Sequence, residues 1–373
     1  MVNNDWSVAY REVHLIGGAY AINDPNEKDK VYIFPNSLDG QQAVLTIPSY
    51  SKLFYAIKKL KISKIVGVEF LNHVNQIDGI SPTEWRAYSS YKSNNWAHIE
   101  ACWQWGDISF EAYKCKNGRL WDLSKRIQHQ ITTLNNSLQQ LSLTYRRQLN
   151  SKVADGFEDN ERFENGYSSY IYDSFQHFLF DACMLRDYIA EFVFHYVVPL
   201  DVKSGEKHMT TTSKIYNKYY KNREVSSDYE TYFKNICSSN GWLNELGVYR
   251  DLVMHACPLS MPKQRVWIRT GTIELLGNKL LPQIIAPIPK KPLDLKNERN
   301  SFKYFSDFER QANAFFNQAN DEEESIDILS YAIDVMDNFS KLLWLTIEQS
   351  PLKGIQQTFG PHNIIGNVRT IAS

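Results

Sequence analysis

The segment from Tyr249 to Pro258 holds an arginine, Arg250, an aspartate, Asp251, and a histidine, His255, at close spacing. An imidazole moves protons near neutral pH, and a guanidinium can hold two non-bridging phosphate oxygens through parallel hydrogen bonds. Such a pair suits cleavage of a phosphodiester that has a neighbouring hydroxyl, the geometry of RNA. His255 would relay a proton for the attacking 2′-hydroxyl or the leaving 5′-oxygen. Arg250 would stabilise the charge that grows on the phosphate in the transition state. That reaction needs no metal.

A helix must position these groups. It is expected to start near Asn240, an acceptable N-cap, and to run to about Ala256, with Pro258 and Pro262 ending it. Five positions turn a helix by about 140° beyond a full turn, so Arg250 and His255 meet only if both border one groove. Asp251 and His255 lie one turn apart, close enough for the carboxylate to fix the imidazole tautomer. The C-terminal end of the helix dipole favours a protonated ring there. Leu252, Val253 and Ala256 indicate a packed helix. The same spacing fits a hydrogen-bonded core histidine as well as a catalyst.

Further helices surround this one. From about Leu120, Ile127, Ile131, Leu134, Leu138, Leu141, Tyr145 and Leu149 recur at three-to-four spacing and predict a helix of about seven turns. Residues 151–168 read as a charged loop. A second long helix is expected over 169–198, with Phe175, Phe178, Leu179, Ala182, Leu185, Ile189 and Val193 as its stripe and Pro199 as its stop. A polar excursion, 200–238, has helical character at 211–221. Later helices are predicted over 302–317 and 323–348. The apolar run Pro282–Pro289 cannot be a central strand, because prolines would leave ladder bonds unmade.

The first 119 residues differ. Val13–Ile16, Val31–Phe34, Ala43–Ile47 and Ile65–Phe70 read as strands, Ser51–Leu60 as a short helix, and Ile108–Tyr113 as a further alternating strand. The expected class is α+β: a mixed or β-rich N-terminal domain (1–119), a helical bundle with insertions (120–350) and a tail (351–373).

The Arg250-Asp251 and His255 pattern resembles the signature of the HEPN superfamily. Its members are helical bundles in which a late helix carries Arg, a polar residue, three to five more residues and a His. The excursion before the helix and the long helix after it are also similar to that layout. Asp251 stands where Asn is commoner. The resemblance implies metal-independent endoribonuclease activity and a homodimer through the bundle, with two motifs forming one RNA cleft. It also implies a possible role as a toxin or phage-defence effector. Other members of that superfamily bind nucleotides or act as non-catalytic dimerising scaffolds, and that alternative stands beside the nuclease. The N-terminal domain would then position substrate or sense a regulatory protein or ligand.

Other groups admit a functional and a plainer role. Lys214, Lys218, Lys221 and Arg223, with Tyr219 among them, could contact RNA phosphates and stack on bases, or form an ordinary soluble helix. Arg186 or Asp187 could border the motif cleft. Glu191 and His195 share a face and suit either a metal or salt bridging. Trp85, Trp96, Trp103 and Trp105 suit a small-molecule site or packing, and Trp103 and Trp105 would share one face of a strand. The remaining histidines lack ligand-like spacing, so no metal site is expected. No cofactor is expected either, since neither a dinucleotide fingerprint nor a phosphate loop occurs.

A net charge of −1 excludes a globally basic nucleic-acid wrapper but not a local basic cleft. Five scattered cysteines without a CxxC pair argue against a disulfide framework. The polar first eleven residues and the lack of a long apolar run predict a cytosolic chain, neither secreted nor in a membrane.

Overall fold

The computed structural model describes residues 10–354, apart from 25–26, 28, 49–51, 73, 78, 92–94, 202, 204–207, 226, 256–258, 262–263 and 298–300. Six strands form the N-terminal sheet: β1 (Tyr10–Leu15), β2 (Tyr20–Asn23), β3 (Lys30–Phe34), β4 (Ala43–Thr46), β5 (Ile65–Leu71) and β6 (Glu84–Ala87). Their spatial order is β4-β3-β2-β1-β5-β6, and every pairing is antiparallel. A helical region follows, so the chain is α+β.

Both faces of this sheet are covered. Val13 and Leu15 join Ala21, Ile33 and Val68 in a small core closed by the helix Leu53–Lys59. Side chains alternate along a strand, so Glu12 and His14 turn to the opposite face. That face lies on the long helix Gly118–Asp155, where His14 meets Ser142. The β1–β2 connection uses Gly17 and Gly18, both at positive φ. Gly18 touches the long helix so closely that an added Cβ would stand 2.7 Å from the Tyr145 carbonyl oxygen.

Asn117 caps the long helix by accepting from the Leu120 amide at 3.2 Å. Every residue of its predicted stripe from Ile127 to Leu149 is buried. The second long helix, Gly166–Tyr196, begins with a reciprocal capping box between Asn165 and Ser168. Its predicted stripe from Phe175 to Val193 is also buried. Each such side chain contributes about 2 kcal/mol through burial. The two helices pack together and join the motif helix, Trp242–His255, and the final helix, Ile328–Ile347, in one core.

Several expectations change. Ile108–Tyr113 is not a strand but part of the helix Ala97–Lys114. Ala97, Ala101, Trp105, Ile108 and Ala112 are its buried side, at helical spacing, and the short alternation reflects the exposed Phe110 beside them. Trp103 and Trp105 therefore do not share a strand face: Trp105 is buried and Trp103 is 56% exposed. The polar excursion contains an unexpected helix, Asp228–Cys237, whose Glu230 amide donates to Ser227 Oγ.

The final helix starts at Ile328 rather than Glu323, because Ser325–Asp327 pairs as a strand with Pro287–Pro289. Leu280–Ile285, containing Pro282, is an edge strand beside Ile268–Glu274, whose other neighbour is Arg162–Phe163. The edge tolerates the missing amide. The predicted stops of the motif helix, Pro258 and Pro262, and the tail from 355 lie outside the described residues.

Candidate functional site

The motif helix forms one wall of a cleft of about 160 Å³. Arg250 and Asp251 line it, and the second long helix contributes Arg186 and Asp187. Each arginine pairs with the aspartate that follows it in sequence. Arg186 Nε donates to Asp187 Oδ1 at 3.0 Å. Arg250 donates to Asp251 Oδ1 from Nε at 3.0 Å and from Nη2 at 2.6 Å. Lys296, from the segment Pro292–Asn297, donates to Asp251 Oδ2 at 2.5 Å. Burial alone would raise the Asp251 carboxyl, but hydrogen bonds from Lys296 and Arg250 hold it below the usual carboxylate range.

Gly247 explains how Arg186 reaches this place. A Cβ at Gly247 would stand 2.5 Å from Arg186 Nη1, so the guanidinium crosses the motif helix where a side chain is missing. Arg186 is buried as a result, while Arg250 and Lys296 are half-buried to exposed. Thr211 to Ser213 close a further side, and Thr211 Oγ1 is buried with no hydrogen-bond partner among the described residues. The cleft thus holds three cations, Arg186, Arg250 and Lys296, against two carboxylates, Asp187 and Asp251. That balance, with an orphan hydroxyl beside it, suits an anionic ligand.

His255 is the last residue of the motif helix and is exposed. It does not line the cleft. The expected bond between Asp251 and His255 is not among the described hydrogen bonds; the Asp251 oxygens serve Arg250 and Lys296. The sequence brought Arg250 and Asp251 to the cleft and anticipated Arg186 and Asp187. It missed Lys296, Thr211 and Gly247, although the repeated Arg-Asp dipeptide was a readable sign.

Lys214, Lys218 and Lys221 are exposed, and Arg223 is half-buried. Tyr219 is 2% exposed and packs beside Phe194, which takes its ring out of reach of a stacked base. The three lysines thus lie on the surface, whereas the interleaved aromatic does not. Glu191 lies in a bidentate pair with Arg126, at 2.9 and 3.0 Å, as the salt-bridge reading expected. No described helix is long and apolar enough to cross a membrane. Neither a family model, nor a curated protein, nor a solved structure matches this chain.

Proposed function

We propose that the chain is a metal-independent endoribonuclease, in which the Arg186–Arg250 cleft grips a phosphodiester and His255 moves the proton. The observation that supports this reading is the cleft itself: a cation excess, open to solvent, on the helix that ends in an exposed histidine. Arg250 holds the non-bridging oxygens, exchanging part of its Asp251 pairing for phosphate. His255 acts as general base on the 2′-hydroxyl, or as general acid on the leaving 5′-oxygen.

One histidine cannot do both at once. A homodimer through the helical region, HEPN-like in arrangement, would bring two motifs to one RNA cleft. Lys214, Lys218 and Lys221 extend the phosphate track, and the N-terminal sheet domain receives a regulatory protein or ligand. Activity as a toxin or phage-defence effector fits such a regulated nuclease in the cytoplasm.

A second reading is a non-catalytic phosphate- or partner-binding dimer. It is favoured by His255 lying off the cleft and by the engagement of both Asp251 oxygens. Incubation of purified protein with mixed tRNA and mRNA, with and without EDTA and with infected-cell extract as trigger, separates the two. The nuclease reading expects cleavage that survives EDTA and falls about 10²-fold or more in His255→Ala. Binding without cleavage would favour the second reading, and loss of both in Arg250→Ala would still mark the cleft as the anion site.

A further inference from the structure

Away from the cleft, Glu12, His14 and Glu69 meet on the face of the N-terminal sheet that lies on the long helix. Glu12 and His14 are two apart on β1, and Glu69 is directly opposite Glu12 on β5. Their three donor atoms lie within 4.8 Å of one another. His14 is 2% exposed, and the side chains of Glu12 and Glu69 are 9% and 10% exposed. Gly67, opposite His14, leaves room for Trp85, whose ring packs 4.9 Å from the imidazole.

One face of the long helix supplies a partner to each of the three. Gln139 Nε2 donates to Glu69 Oε1 at 2.6 Å. Ser142 Oγ stands 3.0 Å from His14 Nδ1. Arg146 binds Glu12. Positions 139, 142 and 146 follow helical spacing, so a single stripe addresses the whole cluster. Outer partners of this kind orient metal-binding histidines and carboxylates.

In the tautomer that donates Nδ1–H to Ser142, the other ring nitrogen turns its lone pair toward both carboxylates. Nε2 is buried and makes no hydrogen bond among the described residues. It stands 3.3 Å from Glu12 Oε1 and 3.9 Å from Glu69 Oε1. Two carboxylates face one guanidinium, so the cluster lacks one positive charge. In that tautomer a lone pair and two carboxylates converge on one point, which is a donor set for a cation. Metal–ligand bonds of 2.0–2.2 Å place tetrahedral donors about 3.3–3.6 Å apart, near the 3.3 and 3.9 Å from Nε2 to the two carboxylates.

We infer that Glu12, His14 and Glu69 bind one divalent transition-metal ion, with Gln139, Ser142 and Arg146 as its outer support. One imidazole nitrogen and two carboxylate oxygens suit zinc, or a similar ion, better than calcium or magnesium. All three ligands are buried on β1 and β5, so the ion is structural and ties the two strands on the face that meets the helix. The set Glu191, His195 and His208 is a poorer candidate: Arg126 holds both Glu191 oxygens, Arg119 stands 3.2 Å from His195 Nδ1, and His208 is exposed.

The test uses tag-free full-length protein. Its metal content is measured by mass spectrometry, and the chelator-stripped protein is then melted with and without zinc chloride. The expected result is about one metal ion per chain and a melting temperature raised by several degrees with zinc. His14→Gln and Glu69→Gln lose both effects, and His208→Ala keeps them. Should His14→Gln fail to fold, the wild-type melts and Glu69→Gln decide. A wild type without bound metal, whose melting ignores zinc, would overturn the inference and place a proton on His14. Zinc binding that survives Glu69→Gln but vanishes in His208→Ala would overturn it in favour of the other cluster.

Discussion

The chain builds two polar clusters between packed elements, and they differ in sign and in access. At the sheet–helix seam, Glu12 and Glu69 outnumber Arg146 and are almost wholly buried. At the cleft, Arg186, Arg250 and Lys296 outnumber Asp187 and Asp251, and the space beside them is open. A buried charge must find its counter-ion within the fold, whereas an open one can take it from a ligand. The seam is therefore read as architecture and the cleft as function. Substitutions at the first should move stability, and those at the second should move binding.

The largest loss of stability is expected for Gly18→Ala. A left-handed backbone costs about 1 kcal/mol with a side chain, and the Cβ would press on the Tyr145 carbonyl for about 3 kcal/mol more. Urea denaturation followed by circular dichroism checks this, and RNA binding below the transition should be unchanged.

Next is a pH effect at Asp327, which caps the final helix and accepts from the Tyr145 hydroxyl at 2.7 Å and the Ala286 amide at 3.0 Å. Burial pushes its carboxyl up to about 6, against the hydrogen bonds that lower it. The folded state thus holds this proton more tightly than the unfolded chain. Its contribution is most favourable at about pH 4 and is lost as pH rises through about 6, by on the order of 3 kcal/mol. Melting curves of wild type and Asp327→Asn across that window should show the difference shifting against wild type, then levelling.

Gly247→Ala sharpens the comparison from the other side. The new methyl group displaces Arg186, so RNA affinity should fall about tenfold, the value of one charge-assisted bond. Stability should hold or rise slightly, since alanine favours a helix. Equal losses in binding and in melting temperature would break the division between cleft and seam. The smallest effect, under about 1 kcal/mol, is expected for Lys61→Gln, which opens a solvent-exposed pair with Glu274. A thermal melt measures it.

The long stripes were legible because helical periodicity is local: Ile127 to Leu149 and Phe175 to Val193 all face the core. The helix Asp228–Cys237 was not anticipated, although Ser227 and Glu230 stand at capping-box spacing. Ile108–Tyr113 misled because six alternating residues outweighed the longer spacing of Ala97, Ala101 and Trp105. The seam was illegible for a different reason. Glu12 and His14 show strand alternation, but Glu69 joins them only through strand register, and the partners on the long helix lie 70 to 134 residues away. Lys296 reached Asp251 by a similar tertiary step.

The nuclease claim is tested most directly by the chemistry of a single cut. A synthetic RNA carrying a mapped cleavage site is compared with the same strand bearing one 2′-deoxynucleotide there. The account predicts 2′,3′-cyclic phosphate and 5′-hydroxyl ends from the RNA, no cut at the deoxy position, and a rate about 10²–10⁴ lower in His255→Ala. Cutting at the deoxy position, or an unchanged rate in His255→Ala, would contradict it.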